Sequence, residues 1–491
     1  MTDALTVIVL AAGEGTRMVS SRAKVLHSFA GRSLLGHVLA AAAPLGAAQT
    51  AVVVGHQREQ VAEHLQTIAP DAYVVIQQEQ RGTGHAVRLA LEAMPDPTGT
   101  VLVLPGDAPL LTAATLADLI TTHRSADAWA TMLTSVVGDP TGYGRVIRGP
   151  DGGVARVVEH RDADEAELAV AEVSALVYAF DATRLRTAVQ QLSSRNAQGE
   201  EYLPDVVSVF VAAGGRVVAV LADETETAGV NDRVQLAAAH RQYNARLLAA
   251  HMRAGVTVVD PATTWVDVGV TLAPDVVLLP SVELYGTTSV AAQACVGPQV
   301  TLTDTTVGPR ATVTRAVALS ARVGADASVG PYAYLRPGTE LADGVHVGTY
   351  VEVKNSDIGT GTKVPHLSYV GDASIGEHTN IGAGTVFVNY DGVDKHRSTV
   401  GDHARTGADN MFVAPVHVGD GAYTAAGSVI TQDVPPGAMG VARAPQRNVE
   451  GWVRRRRAGT PSAEAAEAAA RAAERPAEDG TQERGEDHED G

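Results

Sequence analysis

Residues able to do chemistry gather early in the chain. An aliphatic run from Thr6 to Leu10 opens directly into AAGEGTRM, and the cations Arg17 and Lys24 follow. A buried parallel strand, a glycine-rich turn and cations together suit phosphate, which backbone N–H groups cradle and cations neutralise. The turn is not a Walker loop, since no GKS or GKT follows. Nor is it a dinucleotide fingerprint, since the G-x-G-x-x-G spacing fails. Gly82, Thr83 and Gly84 stand before a helix, where the chain could approach a flat base or a phosphate closely. Asp107 falls just beyond a second buried strand, TVLVLP. Open α/β sheets bind ligands at such strand ends, so the position suits a metal-binding carboxylate, or equally a helix cap. Gly142, Glu159 and Asn231 follow in TGYGRVIR, VVEHRDA and GVNDR.

These residues need a scaffold, and the flanking pattern describes one. Thr50 to His56 and Ala72 to Gln78 read as strands, with REQVAEHL between them as a helix. The alternation of strand and helix over residues 1–229 specifies an α/β domain with a Rossmann-like mixed sheet. Residues 230–255, alanine- and leucine-rich and without proline, read as one connecting helix that stops at Gly255.

A second organisation begins at residue 256. Val323, Val329, Leu335, Leu341, Val347 and Val353 return every six residues. After five-residue steps come Ile358, Val364 and Val370, then Ile375, Ile381 and Phe387. A further run follows an insertion, from Val400 through Thr406, Phe412, Val418 and Thr424 to Ile430. Six fits neither a helix nor a single strand; it fits short strands and turns coiled into a prism, each coil covering the next. The aliphatic residue should point inward. The glycine that often follows it would allow a positive φ or a close approach at a tight corner. This β-solenoid is expected over residues 256–457.

Composition sets limits. The 491 residues exceed one ordinary domain. A single cysteine, Cys295, excludes an internal disulfide and suits a reducing cytoplasm. No apolar run is long enough to span a membrane, and MTDALTVIVL lacks the basic start of a signal peptide. A net charge of −18 argues against nucleic acid as a partner. Residues 458–491 carry ten acidic residues against three arginines and almost no large apolar ones, and are expected to be a disordered acidic tail, whatever transient helix its alanines form.

Taken together, LAAGEGTRM with Lys24, QQEQRGTGHA, PGD, GYGR, VEH and GVN resemble one half of a known bacterial family. It is the bifunctional N-acetylglucosamine-1-phosphate uridyltransferase/glucosamine-1-phosphate acetyltransferase family. YLRPGT, VEVKNS, KVPHLSYVGD, NIGAGT, VNYDG and GVARAPQ are similar to its left-handed β-helix acetyltransferase half. The likeness runs in the family's order over roughly residues 5–453.

The resemblance implies roles. Leu10, Ala11, Ala12 and Gly13, with Gln77, Gly82 and Thr83, would hold the uracil and ribose of UTP. Arg17 and Lys24 would neutralise its triphosphate. Pro105, Gly106 and Asp107 would border the same site, Asp107 and Asn231 would ligate Mg²⁺, and Gly142 and Glu159 would contact the sugar. In the second half, His366 would accept a proton from the amine of glucosamine 1-phosphate as it attacks acetyl-CoA, with Glu352 orienting the imidazole. Arg336 and Lys354 would grip the sugar phosphate, and Tyr369 and Asn380 the sugar. Ala383, Asn389, Tyr390, Ala426 and Arg443 would line the acetyl-CoA groove. The family also implies a homotrimer working on small molecules in the cytoplasm.

The chain departs from the family's pattern in places. EVSAL puts Ser174 where the family has a sugar-contacting asparagine and Leu176 where it has glycine. Ala408 replaces a serine on the acetyl-CoA side, and Ala23 a common proline. Three other readings remain open at this level. One is a nucleotidyltransferase whose solenoid only assembles subunits. A second is a zinc hydratase that would need histidines such as His346, His366 and His378 to converge. A third is a binding scaffold without catalysis.

Overall fold

The computed structural model describes residues 4–474. The first half is a nine-stranded sheet. Its strands are β1 (Leu5–Ala11), β2 (Gln49–Val54), β3 (Tyr73–Ile76), β4 (Thr100–Pro105) and β5 (Ala130–Val136), then β6 (Arg145–Arg148), β7 (Val154–Val158), β8 (Glu172–Asp181) and β9 (Val217–Leu221). The order is β9-β5-β8-β4-β1-β2-β3, with the β6–β7 hairpin attached to β8. β1 lies parallel to β4 and β2, whereas β8 runs antiparallel to β4 and β5. The central strands are aliphatic without alternation because both their faces are covered by helices, leaving one core on each side of the sheet. In-register pairing of Leu10 with Pro105 and of Ala11 with Val54 brings the carboxyl ends of β1, β2 and β4 to one rim.

The connector is a 21-residue helix, Arg233–Arg253. Asp232 caps it by accepting from the Gln235 N–H at 2.8 Å. Asn244, buried within it, donates to the Thr264 carbonyl at 2.7 Å and accepts from the Val266 N–H at 3.1 Å. One amide thereby fastens the helix to the first coil of the solenoid. A small aromatic cluster reinforces the join, with Phe29 stacked on His37 and His240 on the way to Tyr243.

The solenoid is a left-handed parallel β-helix of three sheets, with seven, ten and nine strands. In the earlier coils each strand pairs with the one three strands later, as Val277 with Cys295 and Cys295 with Thr312, and past Tyr369 the step is often two, as Phe387 with Phe412. The hexad residues from Val323 to Ile430 are all buried, so the six-residue register marks the interior as expected. Of the two uses allowed for glycine, close approach prevails at Gly324, where a Cβ would stand 2.4 Å from the Ala342 carbonyl carbon. Positive φ is taken instead by corner residues, many not glycine: Tyr332, Tyr350, Leu367 and His378 among them.

One expectation needs correction. The coils end at the strand Met439–Gly440, not at residue 457, and the described residues from 441 onward separate as a second compact unit. Within that unit Trp452–Arg456 and Pro461–Glu474 are helices. The second falls in the alanine-rich stretch of the expected tail. Alanine, the best helix former, dominates it, and Glu464 sits in its first turn, the favourable end of the helix dipole. The rest of the expected tail, residues 475–491, lies outside the described residues.

Candidate functional sites

At the rim where β1 and β4 end there is a cavity of about 510 Å³. Leu10, Ala11, Ala12 and Gly13 form one wall, and Gln77, Gly82, Thr83, Pro105 and Asp107 another. Lys24 crosses it. Its Nζ bonds the Asp107 carboxylate and donates to Asn231 Oδ1 at 3.2 Å. Three residues far apart in sequence thus converge on one point. Local reasons for this are visible. Gly15 is at φ 62°, and a Cβ there would stand 2.5 Å from Lys24 Cβ, so only glycine lets Lys24 cross so close to the turn. The Val230 N–H donates to the Asp107 carbonyl at 2.8 Å, which brings Asn231 alongside the end of β4.

The Gly82 loop is held by a segment absent from the expected site. Glu201 donates its N–H to the Arg81 carbonyl (2.7 Å) and accepts from the Gly84 N–H (2.8 Å). Its buried carboxylate binds Arg81 at 2.6 Å and Arg88 at 2.7 Å. Thr83 accepts from the Leu203 N–H at 2.9 Å, and Gln77 donates to the Gly82 carbonyl at 3.0 Å. The bare faces of Gly82 and Gly84 therefore meet Glu201, not an open space for a base: a Cβ on Gly82 would lie 2.5 Å from the Glu201 oxygen. Nothing in the sequence links residues 81–88 to Glu201, because the pairing spans more than a hundred positions.

Other expected residues sit apart from this cavity. Arg17 is exposed on the short helix Thr16–Met18 and is not among the lining residues. Gly142 is exposed at φ 85° ahead of β6. Gly106 follows β4, its N–H donating to the Leu10 carbonyl at 2.8 Å. Glu159, at the end of β7, faces Asp205, Asp162 and Glu200. Burial first, then those carboxylates, push its carboxyl up to about 7. Leu176 does line the cavity, and Ser174 does not.

The second cluster lies on the solenoid. Lys354 binds Asp372 at 3.0 Å, and Asn355 and Asn389 donate to the same carboxylate. Burial works against the Lys354 ammonium, but the Asp372 partnership outweighs it and holds its pKa above the ordinary lysine value. Asn389 also donates to the Tyr369 hydroxyl at 3.3 Å. Tyr369 pairs in register with Glu352 on the preceding coil. Glu352 does not reach for the imidazole as expected: Arg336 donates to it at 2.9 Å. Arginine offers a permanently charged partner. His366 is exposed at the end of the strand Lys363–His366, paired in register with Thr349.

Asn380 lies one coil beyond Lys363. Ala383 and Ala408 fall in one column, with the Asp409 N–H on the Ala383 carbonyl and the Gly427 N–H on that of Ala408, so that Ala426 follows on the third coil. Tyr390 is exposed and donates to the Gly392 carbonyl at 2.6 Å. Arg443 is exposed and belongs to the second unit. His346 is bonded to Ser328 at 2.7 Å, and His378 stacks on His403. His346, His366 and His378 therefore do not form the triad a zinc hydratase needs.

With this geometry in place, relatives can be weighed. A family model described as a MobA-like NTP transferase domain matches residues 7–254. The bifunctional protein GlmU of Streptomyces coelicolor is 58% identical over 471 residues, covering 95% of this chain and 98% of that protein. The same-named protein of Thermobifida fusca is 58% identical, covering 94% and 97%. That of Mycolicibacterium vanbaalenii is 55% identical, covering 94% and 95%.

Proposed function

The chain belongs to the bifunctional GlmU family, and we propose that its two clusters divide the family's two reactions between them. The protein is an enzyme of UDP-N-acetylglucosamine synthesis, a uridyltransferase and an acetyltransferase in one chain. The solenoid acetylates glucosamine 1-phosphate, and the α/β half transfers uridyl from UTP to the N-acetylated product, releasing pyrophosphate.

In the α/β half the sugar phosphate attacks the α-phosphorus of UTP, negative charge against negative charge, so cations must do most of the work. The observation that carries the reading is the convergence of Lys24, Asp107 and Asn231 at the rim. A carboxylate and an amide oxygen beside one point, open to the cavity, suit Mg²⁺, which takes oxygen donors and keeps waters for substrate phosphates to replace. When bound, the ion would offset charge on the triphosphate. Lys24 then turns from Asp107 to the phosphates, while the Leu10–Gly13 turn and the Gly82 loop hold the nucleoside and Gly142 and Glu159 the sugar.

In the solenoid, His366 takes the amine proton as nitrogen attacks the thioester carbonyl of acetyl-CoA. The C–S bond breaks, and coenzyme A leaves as a thiolate that takes up the proton. The sugar phosphate displaces Glu352 from Arg336 and sits near Lys354, whose ammonium Asp372 keeps in place. Tyr369 and Asn380 hold the sugar, and the Ala383–Ala426 column with Asn389 and Tyr390 takes the coenzyme. The outward faces of Val317, Tyr334, Met411 and Val429 on one sheet are more than a third exposed. Association into a homotrimer would cover them, and light scattering tests it. No helix among the described residues is long and apolar enough to cross a membrane. UTP and acetyl-CoA are substrates of the cytoplasm, where we place the enzyme.

The test is direct. The protein is incubated with glucosamine 1-phosphate, acetyl-CoA, UTP and Mg²⁺, and every product is identified by mass. UDP-N-acetylglucosamine and pyrophosphate are expected, with the N-acetylated sugar phosphate accumulating when UTP is omitted. Absence of both nucleotide sugar and acetylated intermediate would refute the reading.

A further inference from the structure

One face of the solenoid carries a column of cations that no role above absorbs. Strand register places His346 beside Lys363, Lys363 beside Asn380, and Asn380 beside Arg405, one residue per coil. Their chain neighbours Val347, Val364, Ile381 and Thr406 are buried, so the column itself points outward. Adjacent parallel strands lie about 4.8 Å apart, so Lys363 and Arg405 flank Asn380 with their backbones roughly 10 Å from each other. Lys363 and Arg405 are both exposed.

Three other cations near the acetyl-transfer cluster are neutralised. Arg336 holds Glu352, Lys354 holds Asp372, and Arg397 holds Asp357. Among the described residues neither Lys363 nor Arg405 has an ion pair. The nearby Asp402 is engaged elsewhere, accepting from the Glu377 N–H at 2.7 Å. In a chain of net charge −18, two unpaired cations in register with an amide between them make a local anion site. Its place is informative. Lys363 opens the strand that ends at His366, and Arg405 precedes Ala408 by three residues in the coil that passes the alanine column. On the coil before, His346 pairs with Lys363 and Thr349 with His366, so the column and His366 share one pair of strands.

We infer that Lys363 and Arg405, with Asn380 between them, bind a phosphate group of one of the two acetyl-transfer substrates, in the same or a neighbouring copy of the chain. Lysine supplies a point charge and arginine a planar fork, and asparagine adds a neutral donor between them; together they suit a phosphate bridging successive coils. The phosphate is either that of the sugar 1-phosphate or one on the nucleotide end of coenzyme A. The inference rests on the acetyltransferase reading above.

The experiment is steady-state acetyl transfer by the full chain and its Lys363→Gln and Arg405→Gln variants, varying each substrate in turn, with uridyl transfer as the control. Each variant is expected to raise one KM roughly tenfold, the scale of one charge-assisted hydrogen bond. The kcat should stay within about threefold and uridyl transfer should be unchanged. A rise for acetyl-CoA that shrinks with its 3′-dephospho analogue assigns the clamp to that phosphate, and one that persists assigns it to the pyrophosphate. A rise for glucosamine 1-phosphate assigns it to the sugar. Arg405→Lys should restore most of the loss, which a merely structural role would not. If neither KM moves more than twofold, the clamp is refuted. Should the wild-type chain not acetylate glucosamine 1-phosphate, the underlying reading fails. The clamp is then judged by calorimetric titration of adenosine 3′,5′-bisphosphate and glucosamine 1-phosphate: weaker binding by Arg405→Gln supports it, equal binding overturns it.

Discussion

The hydroxyls of Ser174 and Tyr178 lie 2.7 Å apart, both inside the protein. Ser174 also accepts from the Leu176 N–H at 3.3 Å, and the pairing of β8 with β5 shifts register across these residues. Leu176, at the centre of the bulge, has φ 56° and turns into the nucleotide cavity. Serine here serves the turn and offers nothing to a sugar.

That pairing changes what should be expected of reversing the two departures. Leucine in the left-handed region costs roughly 1–2 kcal/mol, and it narrows the cavity as well. Leu176→Gly alone should lower the KM for N-acetylglucosamine 1-phosphate with little loss of stability. Ser174→Asn alone must displace the Tyr178 bond in a closed space, and an unpaired buried hydroxyl costs about 1–3 kcal/mol. It should lower the melting temperature without improving uridylation. A gain from Ser174→Asn that equals or exceeds that from Leu176→Gly would contradict this account.

The two chemistries should separate by mutation. Asp107→Asn removes the charge at the point where Lys24 and Asn231 meet and should slow uridyl transfer about a hundredfold, as loss of a preorganised electrostatic group does. Acetyl transfer should survive. His366→Ala should do the reverse. Loss of both activities in either variant, with the fold intact by circular dichroism, would mean the sites are not independent.

Glu201 should act on nucleotide binding from a distance. Its carboxylate joins Arg81 and Arg88 on either side of the Gly82 loop. Glu201→Ala leaves Arg88, itself mostly covered, without its partner, and should destabilise the protein by about 1–3 kcal/mol. The KM for UTP should rise several-fold while kcat changes little. Glu201→Asp should recover part of the affinity. An unaltered KM for UTP in the alanine variant would show that the loop holds itself.

The Glu159 carboxyl, pushed up to about 7, makes a pH-dependent contribution. Between about pH 4.5 and 7 the folded protein keeps a proton that the unfolded chain has released. The contribution is therefore complete below 4.5 and is lost as pH rises through 7. Urea denaturation should show Glu159→Gln gaining on the wild type as pH goes from 5 to 8. A constant difference across that range would place the carboxyl's titration elsewhere.

Local order was legible in the sequence wherever neighbours along the chain decide it. The six-residue return from Val323 to Ile430 marks the buried edge of every coil because each inward side chain is specified a few residues from the last. The strand and turn before Lys24 and the strand before Asp107 are local in the same way, and so is the helix ending just before Gly255. Partnerships are not. Lys24 meets Asn231 across 207 positions, and Glu201 meets Arg81 across 120. The same limit applies when the partner is close in sequence but several are available, as with Glu352, which could turn to His366 or to Arg336 and takes Arg336. The motif shows only that Ser174 stands in place of a sugar-contacting asparagine; that its hydroxyl turns inward to Tyr178 is decided by packing. Periodicity is a sum over many adjacent residues, each weakly informative, and it survives in one dimension. A side chain's partner depends on which surfaces the folded sheets bring within 3 Å, and that is decided only when the whole core has closed.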